Sequence, residues 1–152
     1  MLSKKAKYGI RALLHLAERR GRGPILIKDI AVQERIPQKF LEAILVELKT
    51  AGVVRSRAGR KGGYELLRHP KDVNLGLVVR LMDGPLALIS CVSQTAYSPC
   101  EDCPDKQTCL IRMVMQEVRD ATARILEQAT LEGMLANKES LRDTNSGLHF
   151  HI

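Results

Sequence analysis

Tryptophan is absent from this 152-residue chain, and aromatic residues make up only 3% of it. With 45% of residues hydrophobic there is material for a core, but an aliphatic one, which at this length predicts a single, mainly helical domain. No run approaches the ~18 apolar residues needed to span a bilayer. Residues 1–7 are basic, but Arg11, Glu18, Arg19 and Arg20 interrupt any apolar stretch after them, so no secretory leader is expected. Acidic residues are scarce in the first half: residues 1–71 carry 17 Lys and Arg against 6 Asp and Glu, while residues 72–152 carry 7 against 11. A basic half of this kind fits a polyanion, and the other half is left for a different task. Cysteine is missing everywhere except in one window, where Cys91, Cys100, Cys103 and Cys109 fall within nineteen residues. In the expected cytoplasmic setting thiols stay reduced, so such a group points to a metal site or a redox switch rather than to structural disulfides.

Helical periodicity and punctuation organise the rest. Ser3 is a candidate N-cap for a first helix with Ile10, Leu13, Leu14 and Ala17 on its apolar face, ending before Gly21-Arg22-Gly23-Pro24. The segment 25–27 is a small strand or a linker. Residues 28–35 predict a short helix, and Ile36-Pro37 breaks the chain before a helix to about Thr50, with Phe40, Leu41, Ile44, Leu45 and Leu48 as its stripe and Gly52 as its stop. Residues 53–57, a glycine-rich basic turn at 58–63 and residues 64–67 predict a hairpin. Three helices followed by a hairpin is the order of a winged helix-turn-helix. Asn74 caps a further helix over 75–82, which Asp83-Gly84-Pro85 ends. The expected organisation is a DNA-binding region at 1–83, a cysteine loop without regular structure at 84–109, a long dimerisation helix from 110 to about 129 with a short helix to 135 (the region 110–136), and a frayed tail at 137–152.

In such a fold the second helix of the motif enters the major groove with its N-terminal residues at base edges. Here those are Gln38, Lys39 and Glu42. Glutamine pairs with adenine, glutamate accepts from the amino group of cytosine, and lysine serves a guanine or a phosphate. By themselves such helices also fit an ordinary solvated face. Arg55, Arg57, Arg60 and Lys61 around the glycine-rich turn favour the DNA reading, because glycine permits close backbone approach and arginine reads a narrow minor groove.

Several separated motifs then resemble one family. Lys7-Tyr8-Gly9-Ile10-Arg11-Ala12-Leu13, Phe40-Leu41-Glu42 with Leu48, Ala51-Gly52-Val53-Val54 and Gly62-Gly63-Tyr64 occur in the order of the Rrf-two family of bacterial winged-helix regulators, which includes the iron–sulfur regulator IscR, the nitric-oxide sensor NsrR, the iron regulator RirA and the cysteine-metabolism regulator CymR. The resemblance covers about residues 1–135. It implies a homodimer joined through the long helix and, in cluster-binding members, three loop cysteines with a fourth ligand of varied type; two heads on a dimer in turn predict a palindromic double-stranded operator, and without a spanning segment no membrane partner is expected. On this chain Cys91, Cys103 and Cys109 fit that pattern. Cys100 is extra: a fourth ligand, an alternative to Cys103, or a bystander. Glu42 falls where IscR-like members have a base-contacting glutamate. The chain also departs from the pattern. Ala58 stands where family wings often have arginine, which moves minor-groove reading to Arg57 or Arg60, and Lys7 stands where some members supply an acidic cluster ligand, which favours an all-cysteine site.

Three chemistries compete for the thiols. An iron–sulfur cluster (2Fe-2S or 4Fe-4S) uses four thiolates, although intervals of eight, two and five residues match neither ferredoxin run. Structural zinc suits the knuckle at Cys100 and Cys103, with Cys91 and Cys109 completing a tetrahedron. A thiol switch needs only a pair. Inert thiols are the bland alternative. His15, His69, His149, His151, Met113 and Met115 are expected to pack or face solvent rather than ligate, and no catalytic constellation or phosphate-binding loop is present, so an enzyme is not expected. The reading from another class is a small iron–sulfur electron carrier whose basic half docks an acidic partner.

Overall fold

The computed structural model describes residues 1–147. Eight regular elements follow the chain: α1 (Lys4–Glu18), α2 (Ile27–Glu34), α3 (Gln38–Thr50), β1 (Val54–Arg57), β2 (Gly63–Leu66), α4 (Leu75–Asp83), α5 (Leu110–Gln128) and α6 (Leu131–Gly147). The mainly helical class with one small hairpin is as the sequence predicts.

Local chemistry explains most boundaries. The Ser3 hydroxyl accepts the Ala6 N–H at 2.9 Å and starts α1. Asn74 does the same for α4, its Oδ1 taking the Leu77 N–H at 2.9 Å. Arg35 ends α2 in the left-handed conformation, φ +53°, with the Ile36 N–H returning to the Ala31 carbonyl at 2.9 Å. That tight reversal lets Ile36 drop into the core and start the next helix after Pro37. Gly52, φ +71°, follows α3 in the same conformation, and the Arg68 guanidinium donates to the carbonyls of Ala51 and Gly52.

The hairpin pairs Val54 with Leu66, Arg55 with Glu65, Ser56 with Tyr64 and Arg57 with Gly63. Ile25 adds one bridge to its other edge, exchanging both hydrogen bonds with Tyr64 at 2.9 and 2.8 Å. The segment that the sequence leaves as strand or linker is therefore a single bridging residue, and α2 begins two residues later. Gly63 makes the bridge possible: its φ is +134°, and a Cβ there would sit 2.2 Å from the Ile25 carbonyl oxygen.

The core is aliphatic. Ala6, Leu13 and Leu16 of α1 meet Ile30 of α2, Leu41, Ile44, Leu45 and Leu48 of α3, Val53 and Val54 at the hairpin, Val78 of α4 and Leu131 of α6. Leu131 is fully buried although it lies far along the chain. The chain returns there because the Leu131 N–H donates to the Val73 carbonyl and the Leu75 N–H to the Ala129 carbonyl, both at 2.9 Å. Everything from α4 to α5, cysteine loop included, is one excursion clasped at its base.

Three expectations need correction. Phe40 is not a core member of α3; it is 38% exposed and stacks edge-on against Tyr8, with centroids 5.6 Å apart. The stripe of this helix is narrower than its hydrophobic residues, and the position before Leu41 turns outward. The loop at 84–109 is not wholly irregular, since Ser90–Val92 forms a 3-10 turn that buries Cys91 and Val92. The last helix does not stop near residue 135: it runs to Gly147, where a frayed tail from 137 was expected. Lys138 donates to Glu18 and so ties this helix to α1, while the Ser140 and Thr144 hydroxyls bond back to carbonyls one turn earlier. Residues 148–152, with His149 and His151, lie outside the described part. No described helix is long and apolar enough to cross a membrane.

Candidate nucleic-acid interface and cysteine cavity

Gln38, Lys39 and Glu42 are exposed together on the first turns of α3, and Gln38 Nε2 donates to Glu42 Oε1 at 3.3 Å. No side chain caps this helix, so its first amides have no side-chain acceptor. The hairpin stands beside it, tied by Lys49 Nζ donating to Ser56 Oγ at 2.7 Å. Its four basic residues divide into two pairs. Arg55 and Arg57 project from one face of β1 and share a carboxylate: their Nε atoms lie 2.8 and 3.3 Å from Glu65 Oε1. Arg60 and Lys61 are exposed at the tip. That turn is closed by the Gly62 N–H on the Gly59 carbonyl at 3.0 Å, and a Cβ on Gly62 would fall 2.2 Å from the Arg57 carbonyl oxygen.

Sequence reasoning missed two neighbours of these residues. Glu65 faces Arg55 through the strand register, which no local pattern reveals. Arg22 lines the same groove of about 590 Å³ as Arg57, Arg60 and Lys61. The strand reading of Ile25 held that signal, because a bridge there lays residues 22–24 along the hairpin.

The four cysteines sit on three different supports. Cys91 is buried in the 3-10 turn, Cys100 is exposed and Cys103 half-buried in the loop, and Cys109 is the N-cap of α5, its Sγ accepting the Arg112 N–H at 3.4 Å. All are free thiols, and all four line one cavity of about 250 Å³, with Ile89, Ile111 and Arg112 among its other walls. The Cys100 thiol donates to Asp102 Oδ1 at 3.2 Å, and that carboxylate pushes its pKa up. Burial, followed by the neighbouring Cys109 sulfur, pushes Cys103 up as well. Among the described residues no three His, Cys, Asp or Glu side chains are gathered closely enough to hold a metal ion.

The donor chemistry nevertheless fits a soft, anionic thiolate-bound group. All four cysteines line one mostly apolar space, and Arg112, whose Nε is buried without a hydrogen-bond partner, lines it too. The two described histidines are elsewhere. His15 is buried, its Nδ1 2.8 Å from Glu34 Oε1 between α1 and α2. His69 Nδ1 accepts the Lys71 N–H at 3.1 Å.

The third surface feature is α5. None of its nineteen residues is fully buried, and Leu110, Ile111, Met113, Val114 and Ile125 are each more than half exposed. A helix of about 28 Å carrying such a row is an uncovered apolar face. It is fixed to the head by Arg80 and Glu127, 2.7 Å apart, and to the cysteine loop by Arg119 Nη1 donating to the carbonyl of Val92.

Comparison with known proteins matches this arrangement over nearly the whole chain. The family model described as Rrf2, iron-dependent transcriptional regulator, matches residues 2–137. The rrf2-like HTH-type transcriptional regulator of Rhodobacter capsulatus is 45% identical over 139 residues, covering 90% of this chain and 93% of that protein. Among solved structures, CymR of B. subtilis aligns with a TM-score of 0.74 at 28% identity, over 90% of this chain and 97% of that one. IscR of T. potens gives a TM-score of 0.74 at 29% identity, over 93% and 90%. Reading helix, basic wing and exposed long helix are thus those of a DNA-binding winged-helix transcription regulator, and the chain belongs to the Rrf2 family.

Proposed function

We propose that this regulator works as a homodimer whose hold on a palindromic double-stranded operator is gated by an iron–sulfur cluster (2Fe-2S or 4Fe-4S), with Cys91, Cys103 and Cys109 as ligands and Cys100 as the fourth. The observation that carries this reading is the single cavity that all four thiols line, at the N-terminus of α5 and inside the excursion clasped to the reading head. The reducing cytoplasm keeps such thiols available.

Two copies meeting through the apolar row of α5 place two heads about a twofold axis, and a palindromic operator mirrors that symmetry. Gln38 and Glu42 read base edges, and Lys39 takes a guanine or a phosphate. The uncapped start of α3 offers its amides to a phosphate. Arg60 and Lys61 enter the flanking groove from the wing tip, and Arg55 and Arg57 follow by exchanging Glu65 for phosphate. The cluster supplies a link between thiols that oxygen, nitric oxide or iron shortage removes. Cys91, Cys100, Cys103 and Cys109 would hold it, and Arg119, which donates to the Val92 carbonyl, would couple the order of the loop to α5. A switch from mostly bound to mostly free requires a difference of a few kcal/mol between the two forms.

A second reading, structural zinc on the same thiols, is favoured by one feature. The Cys103 N–H turns back onto the Cys100 carbonyl at 3.5 Å, a knuckle-like reversal. Anaerobic purification with iron, sulfide and zinc analysis separates the two. Iron with sulfide is expected, and Cys103→Ala is expected to lose the colour and the cluster-dependent change in DNA affinity. Iron-free anaerobic protein, or unchanged DNA binding in a variant that has lost its cluster, overturns the gating.

A further inference from the structure

The mostly apolar lining of the cysteine cavity includes Lys106 and Arg112. These two basic side chains differ in one respect. Lys106 is engaged, its Nζ donating to the Tyr97 hydroxyl and lying 5.1 Å from the centre of that ring. Arg112 is not: its Nε is buried and makes no hydrogen bond, one of two such side-chain atoms among the described residues. The carboxylate of the cavity, Asp102, is occupied by the Cys100 thiol. Arg112 as a whole is half-buried, but an N–H left buried without an acceptor is costly, and the position is explained by an acceptor that arrives with the occupant. Arg112 is also well placed to meet one. It stands three residues into α5, its backbone N–H already on Cys109 Sγ at 3.4 Å.

We propose that Arg112 is the charge-compensating residue of the cluster, its Nε–H donating to a thiolate or sulfide sulfur once the four cysteines are loaded. This rests on the cluster reading above. Thiolates and sulfides together leave a thiolate-bound cluster anionic, and net charge and hydrogen bonds to sulfur set both its reduction potential and its retention. A fixed guanidinium favours the more negative, reduced form and so raises the potential. Reduction adds one electron, taken from an added soluble reductant; no bond or proton moves at Arg112. Arg112 is thus a positioning and tuning residue, and no ligand.

The test uses full-length protein purified without oxygen, as wild type, Arg112→Gln and Arg112→Lys, each assayed for iron and sulfide, titrated for reduction potential, and timed for iron release to a chelator. Arg112→Gln is expected to lower the potential and release iron several-fold faster, with Arg112→Lys returning both toward wild type. Arg112→Gln that fails to load while Arg112→Lys loads supports the same role. A loaded Arg112→Gln with wild-type potential and release rate overturns the assignment and leaves the cluster reading intact. Failure of both variants to load also overturns it, in favour of simple packing. Wild-type protein without iron removes the cluster reading and this role with it.

Discussion

Arg55 and Glu65 stand directly opposite one another across the hairpin, and Arg57 reaches the same carboxylate oxygen, at 2.8 and 3.3 Å. One acid therefore restrains two of the four wing cations in the free protein. Exposed pairs of this kind contribute about 0.2–1 kcal/mol each, and both arginines are at least half exposed. Glu65→Gln is expected to tighten binding to non-operator DNA a few-fold and to steepen its salt dependence, because two guanidiniums become free for phosphate. Fluorescence anisotropy across several salt concentrations measures this; an unchanged slope means the pair serves only to shape the wing.

Base-reading and phosphate-holding residues separate by their salt signatures. Glu42→Ala is expected to cost about 1–3 kcal/mol on the operator and relax preference at one base pair. Arg60→Ala and Lys61→Ala are expected to weaken all sequences alike and reduce the salt slope by about 1 each. Equal losses on operator and random DNA for Glu42→Ala would remove it from base recognition.

Gly63→Ala tests the bridge between Ile25 and the hairpin. Its Cβ would fall 2.2 Å from the Ile25 carbonyl oxygen at φ +134°, so the loss should exceed about 1 kcal/mol in urea unfolding. Gly21→Ala, at φ +86° with open space around its Cβ, has only the backbone conformation against it and should cost less.

Ser3 caps α1 and also binds Asp83 at the end of α4: its backbone N–H donates to Asp83 Oδ2 at 3.0 Å and its hydroxyl to Oδ1. Burial acts to raise the pKa of Asp83, but the bonds from Ser3, with help from Lys5 and the N-terminus, outweigh it and hold the carboxyl below its ordinary value of 3.8. A lowered pKa contributes stability that is present above the ordinary value and lost as pH falls through the folded one. Ser3→Ala should cost about 1 kcal/mol at neutral pH. Its deficit should narrow in acid, where wild type loses the same interaction. Urea unfolding at neutral pH and below the carboxylate range checks this; a deficit independent of pH leaves only the cap.

The exposed row on α5 should be closed by a second copy. Val114→Glu with Ile125→Glu is expected to convert a dimer to a monomer in sedimentation and to abolish tight operator binding, while the helical circular dichroism is kept. A dimer that survives both changes uses another surface.

The reading head was legible in the sequence because its signals are local. Ser3, Asn74 and Gly52 mark helix ends through neighbouring backbone groups, and the stripes of α1 and α3 repeat within one helix. The same reasoning reached Gln38, Lys39, Glu42 and the wing cations by residue type, but not their partners. Glu65 enters through cross-strand register, and Arg22 through a one-residue bridge. The α6 helix was underestimated because its second half has no strong apolar stripe, the signal that periodicity depends on, and is tied to α1 by Lys138 instead.

Composition and order by themselves determined a basic, mainly helical head with a wing, followed by a thiol-rich loop and a long amphipathic helix, because periodicity, caps and charge are properties of near neighbours. Tertiary structure alone decided that four cysteines on three supports share one cavity, that Arg112 lines it with its Nε buried and without an acceptor, and that Leu131 closes the excursion against Val73. Leu131 reaches Val73 because both are buried in the common aliphatic core, and the thiols meet because the loop between α4 and α5 folds back on itself, neither of which a local pattern reveals.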